Sequence, residues 1–84
     1  MIPRKIRIAR NITCYGECRS IVAYRGNDEV GRAVFGVYPV LNWTVGPSGR
    51  DDFDVMIPVN PALTGAEVLA EVETTLRRQI RRAA

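Results

Sequence analysis

The chain has 84 residues, which is enough for one domain around one core and too few for two. Its formal net charge is +3, and Lys5 is the only lysine among 12 basic residues. Because the chain has no histidine and only two cysteines, it lacks the usual base for nucleophilic catalysis and cannot build a four-ligand zinc site from these residues. We therefore expect a single non-catalytic domain over residues 1–84, with no cofactor and no metal.

The cellular compartment is inferred from the length and position of the apolar segments. No apolar run is long enough to cross a bilayer, and no apolar signal core follows the basic N-terminus. We expect a cytoplasmic protein that does not interact with membranes.

The first predicted element is a strand over residues 5–14, where apolar and polar residues alternate and Arg10 interrupts the apolar face. A three-residue loop, Tyr15-Gly16-Glu17, follows it, since glycine suits a hairpin position in the left-handed region. This loop places Cys14 directly opposite Cys18. The two cysteines are then either a cross-strand disulfide or, in a reducing compartment, buried thiols.

Three further strands are predicted from the same alternation. The second runs from Cys18 to Arg25 and ends at a turn signal, Gly26-Asn27-Asp28. The third runs from Glu29 through Tyr38, and residues 43–45 are expected to continue it beyond a kink at Pro39. The fourth covers residues 53–59, after a loop whose aspartates we interpret as solvated rather than metal-binding.

The last predicted element is a helix. Thr64 and Glu67 have the spacing of a capping box. An apolar stripe follows at spacings of three and four, formed by Leu69, Val72, Leu76, Ile80 and Ala83. These elements predict an α+β fold in which one C-terminal helix covers one face of a four-stranded antiparallel sheet, in ββββα order.

The two turns also predict which residues share a face. A loop at residues 15–17 makes Arg7 face Arg25 across the first two strands, and a two-residue turn at Asn27-Asp28 sets the pairing of the next two. The helix face then carries Ile8, Ile12, Cys14, Cys18, Val22, Tyr24, Ala33, Phe35 and Val37. The open face carries Lys5, Arg7, Arg19, Arg25 and Arg32, together with Ile21, Val30, Val34 and Tyr38. A register slip of one residue would move a whole strand's residues to the other face.

A basic, partly apolar sheet face favours single-stranded nucleic acid, which binds to cations and stacking surfaces without sequence readout. The helix end would add phosphate contacts through Arg77, Arg78, Arg81 and Arg82. Two simpler explanations stay open. The open face can be an ordinary solvated surface in a protein whose arginine content follows codon usage, and the helix arginines can serve the helix dipole alone.

An alternative function uses the same predicted face. Ile21, Val30 and Val34 would form an apolar cluster with an arginine rim, as in many protein interfaces. The chain would then be a small inhibitor, adaptor or self-assembling component that binds an acidic protein surface or forms a homodimer.

Overall fold

The computed structural model describes residues 5–83. Five strands form one antiparallel sheet in chain order, and a single helix follows them. The elements are β1 (Ile6–Ile12), β2 (Cys18–Arg25), β3 (Asp28–Gly36), β4 (Asn42–Pro47), a 3₁₀ turn (Asp51–Phe53), β5 (Val55–Pro58) and α1 (Gly65–Ala83). The α+β class, the antiparallel sheet and the C-terminal helix are confirmed.

The sheet has five strands, so the prediction of four was wrong. Residues 42–47 do not extend β3; the chain reverses at residues 37–41 and β4 returns beside β3, with Trp43 facing Phe35. The side-chain amide of Asn42 donates to the carbonyls of Tyr38 (3.3 Å) and Val40 (2.6 Å), which holds the reversal. The Tyr38–Pro39 peptide bond in this loop is cis.

The register between β1 and β2 differs from the predicted one because of Thr13. Its hydroxyl accepts from the backbone N–H groups of Tyr15 (3.3 Å) and Glu17 (3.2 Å), so the loop begins one residue earlier than expected. The ladder then shifts between Asn11 and Ile12, where β2 carries an extra residue. Arg7 therefore faces Tyr24 rather than Arg25, and Cys14 lies in the exposed loop rather than opposite Cys18.

The register between β2 and β3 is also shifted. The turn consists of Gly26 and Asn27, not Asn27 and Asp28, since Gly26 takes the left-handed φ of +64° that glycine tolerates. Val30 is an extra residue in β3, because Ala23 faces Gly31 while Tyr24 faces Glu29.

Together the two shifts invert β2 relative to the prediction. Ile21 and Ala23 point to the helix and are fully buried, while Val22 and Tyr24 lie on the other face. Ile8 of β1 and Phe35 of β3 lie on the helix face as predicted, but Val37 is an exposed loop residue. The buried core consists of Ile21, Ala23, Ala33, Trp43, Val45, Val72, Leu76 and Ile80.

Helix α1 begins with the predicted capping box. The Thr64 N–H donates to the Glu67 carboxylate (3.0 Å), and the Glu67 N–H donates to the Thr64 hydroxyl (3.2 Å). The hydrogen bond from the Thr64 backbone N–H is the main cause that lowers the pKa of the Glu67 carboxyl. Within residues 5–83 no helix is long and apolar enough to cross a membrane.

Candidate nucleic-acid interface

The predicted basic sheet face is not one surface. Arg7 faces Tyr24 on the open face, whereas Arg25 faces Ile6, which packs against the core on the helix side. Alternation along β1 therefore directs Arg7 and Arg25 to opposite sides of the sheet. The two guanidinium groups therefore do not face each other across the strands, contrary to the prediction.

Two other predicted cations are engaged within the chain. Arg32 lies on the open face and forms a salt bridge of 2.6 Å with Glu29, which lowers the pKa of that carboxyl. Arg19 forms a salt bridge of 2.8 Å with Glu17, and its guanidinium lies 5.8 Å from the centre of the Phe35 ring.

The apolar part of the predicted face is also divided. Ile21 is fully buried and Val30 packs against the core, because β2 is inverted and Val30 is the extra residue of β3. Val34 remains on the open face and is 45% exposed. Tyr38 lies in the loop after β3, and the nine residues of that strand place it about 30 Å from the other end of the sheet.

The structure instead brings most of the predicted cations to one end of the molecule. Ile6 and Arg25 are paired where β1 begins and β2 ends. The Arg77 guanidinium donates to the carbonyl of Ile6 (3.3 Å), so the second half of α1 lies against the same end. We call this region the basic end; it comprises Lys5, Arg7, Arg25, Arg77, Arg78, Arg81 and Arg82.

The cations of the basic end differ from the others in their pairing. Arg10, Arg19, Arg32 and Arg50 each form a salt bridge. Among the residues that the structure describes, none of the seven cations of the basic end does so. Asp28 faces Arg25 across the turn, but their side chains form no salt bridge.

The basic end also holds acidic side chains. Asp28 faces Arg25, and Asp51 and Asp52 follow Arg50, whose guanidinium donates to the carbonyl of Ala83 (3.4 Å) at the end of α1. The eight cations, Arg50 included, outnumber these three carboxylates, so this end keeps a positive excess. The C-terminus of α1 contributes about half a negative charge through its dipole, far less than the local positive charge. Such an end attracts polyanions and repels other cations.

The open face adds one stacked pair to the basic end. The Arg7 guanidinium lies 4.6 Å from the centre of the Tyr24 ring. Sequence reasoning missed this pair because it placed Tyr24 in the core. A Thr13 side chain able to hydrogen-bond the hairpin backbone was the available signal for the earlier loop. The shift that brings Tyr24 to the open face comes from the extra residue of β2.

Cys14 and Cys18 are free thiols, and burial raises the pKa of the Cys18 thiol, which donates to the Ser20 carbonyl (3.5 Å). Residues 5–83 bring together no group of three or more acidic or cysteine side chains that could hold a metal ion.

Comparisons with protein-family models, with curated proteins and with solved structures gave no match.

Proposed function

We propose that this protein is a non-catalytic nucleic-acid-binding domain that holds single-stranded DNA or RNA at its basic end. The observation that carries the proposal is the collection of seven cations, without internal salt bridges, around the start of β1 and the second half of α1. Six of these seven side chains are arginines, whose planar guanidinium groups make paired hydrogen bonds to phosphate oxygens.

The preference for a single strand is supported by Arg7 and Tyr24. A guanidinium held over an aromatic ring presents its outer surface to an unpaired base, and single strands bind through stacking combined with phosphate contacts. Neither interaction depends strongly on base identity. We therefore expect weak sequence preference.

The proposal predicts a steep dependence of affinity on salt. If five cations contact phosphates on a single strand, the logarithm of the affinity falls with a slope of about −3.5 against the logarithm of salt concentration. Affinity then drops about 100-fold between about 50 and 200 mM salt. Fluorescence anisotropy with a labelled oligonucleotide measures both quantities.

The variant that tests the basic end is R78Q/R81Q, because neither side chain makes a hydrogen bond or salt bridge in the described part of the chain. Removing two phosphate contacts should make the salt slope shallower by about 1.4. A matched control is R19Q/R32Q, which removes the same charge from residues paired with Glu17 and Glu29.

The control should keep the slope of the wild-type protein. Equal losses in the two double variants would mean that only total charge matters, and the basic end would not be the site. No detectable binding of single-stranded DNA or RNA by the wild-type protein at low salt would overturn the proposed function itself.

A further inference from the structure

The end of the molecule opposite the basic end carries an exposed apolar loop. In the loop between β3 and β4, the side chains of Val37, Tyr38, Val40 and Leu41 are each more than half exposed, and Tyr38 is 88% exposed. They account for four of the eight large exposed apolar residues in the part of the chain that is described. The buried Asn42 amide ties down the backbone of this loop, so the apolar side chains project from a fixed support.

An apolar groove lies directly beside this loop. It has a volume of about 610 Å³ and lies between the sheet and the first half of α1. Its apolar walls are formed mainly by Phe35, Trp43, Val59, Leu63, Val68 and Leu69. The volume is within the range of about 300–1,000 Å³ that is typical of binding sites.

The charges around the groove are already satisfied within the chain. Glu17 and Arg19 line its rim and neutralise each other at 2.8 Å. At the start of α1 the Glu67 N–H donates to the Thr64 hydroxyl, and the Glu67 carboxylate already places a negative charge there. The groove therefore suits an uncharged apolar or aromatic group rather than a phosphate or a carboxylate.

We propose that the occupant is the Tyr38 loop of a second copy of this chain, in a symmetric dimer where each loop enters the groove of the other copy. Val37 and Leu41 belong to the loop and also line the groove, so the two surfaces adjoin. A twofold contact requires this adjacency, because each copy must offer both parts in one patch.

The available area and the charge distribution support the same arrangement. Burying Tyr38 and the three neighbouring aliphatic side chains would supply roughly half of the ~800 Å² that each partner buries in a standard interface. The groove walls and rim would supply the rest. The contact also keeps the two basic ends at the far tips of the dimer, where their repulsion is weakest.

Sedimentation equilibrium over protein concentrations from about 1 µM to about 1 mM tests the proposal, since interfaces of this size have dissociation constants of about 1 µM or lower. The wild-type protein should dimerise, and Y38S should raise the dissociation constant at least tenfold. The control is M56S, which removes a side chain that is 56% exposed on the open face and does not line the groove. It should dimerise like the wild type.

A wild-type monomer throughout this range would overturn the proposal, whatever else the groove binds. Equal effects of Y38S and M56S would overturn the placement of the interface. The variant R78Q/R81Q should dimerise normally, so a failure of this proposal is distinguishable from a failure of nucleic-acid binding.

Mixing two variants tests whether each Tyr38 loop occupies the groove of the other copy. L63E disrupts the groove and leaves the loop intact, whereas Y38S does the reverse. Each homodimer then lacks both contacts, but the mixed dimer retains one complete contact. Mixing should increase the dimer fraction above that of either variant alone, and no increase would contradict the reciprocal arrangement.

Discussion

Gly31 determines how closely the helix approaches the sheet. It is a buried residue of β3, and a Cβ atom there would lie 2.7 Å from Cδ1 and 2.8 Å from Cγ1 of Ile80. The same atom would lie 3.0 Å from Cδ1 of Leu76. The missing side chain thus makes room for two core residues of α1.

Replacing Gly31 with alanine should destabilise the protein by about 1–3 kcal/mol, because the added methyl group overpacks the contact between β3 and α1. Urea unfolding monitored by circular dichroism measures the change. The matched control is G65A at the start of α1, where a Cβ meets no atom within 4 Å. It should change the free energy of unfolding by less than about 1 kcal/mol. Equal destabilisation in both variants would contradict the close approach at Gly31.

Glu29 is expected to make stability depend on pH in the acid range. Its carboxylate accepts hydrogen bonds from Arg32 (2.6 Å) and from the Ser48 hydroxyl (2.7 Å), which lower its pKa. A lowered folded pKa means that this contribution to stability is present above the unfolded pKa of about 4.3 and is lost as pH falls through the folded value. The free energies of unfolding of the wild-type protein and E29Q should therefore converge on acidification.

Titration of Glu29 by NMR checks whether the hydrogen bonds from Arg32 and Ser48 lower its pKa. The folded midpoint should lie below about 4.3 and move upward in R32Q, because the Arg32 hydrogen bond is the largest cause of the shift. The S48A variant should move it in the same direction by less. An unchanged midpoint in R32Q would show that this ion pair does not persist in solution.

At the scale of elements, the capping box should stabilise α1 and, through it, the whole fold. T64A removes the hydroxyl that accepts from the Glu67 N–H, and it should lower the free energy of unfolding by about 1 kcal/mol. T74A is the matched control on the same helix, since the Thr74 hydroxyl only donates to the Ala70 carbonyl one turn earlier. Thermal unfolding should show little change for T74A, and a loss as large as that of T64A would argue against the cap.

The sequence predicts the elements better than their registers. Alternation is sufficient to find β1, β2, β3 and the inward residues Val55 and Ile57 of β5. Registers depend on turns and on bulges. The loop at Thr13 and the turn at Gly26 each begin one residue early, and the extra residues Arg19 of β2 and Val30 of β3 then shift each ladder by one position. Because a one-residue shift exchanges the faces of a strand, β2 was inverted relative to β1 and β3, and Val30 was placed on the wrong face.

The candidate site could be predicted from the sequence only in part. The spacing of the helix arginines follows from the helical period, and Lys5 and Arg7 lie at the start of β1 in any register. What brings these groups together is tertiary packing, in which Arg77 reaches the carbonyl of Ile6. No local pattern in the sequence contains that contact.

At the scale of the whole molecule, charge and apolar surface are separated. The chain is 42 Å along its longest axis. The basic end lies where β1 begins and α1 finishes, and the Tyr38 loop and its groove lie where β3 finishes and α1 begins. This separation allows each surface to be altered without disturbing the other, which the control variants above rely on.

The separation also has a consequence for avidity. Two copies joined through their Tyr38 loops would carry arginine clusters up to roughly 80 Å apart, about twice the 42 Å length of one chain. A short oligonucleotide would reach only one cluster, whereas a long flexible strand would fold back and engage both. The second attachment would then be intramolecular, and its effective concentration would depend on the length of the intervening strand. The dimer would therefore bind a long single strand more tightly than a short fragment, although each basic end alone binds modestly.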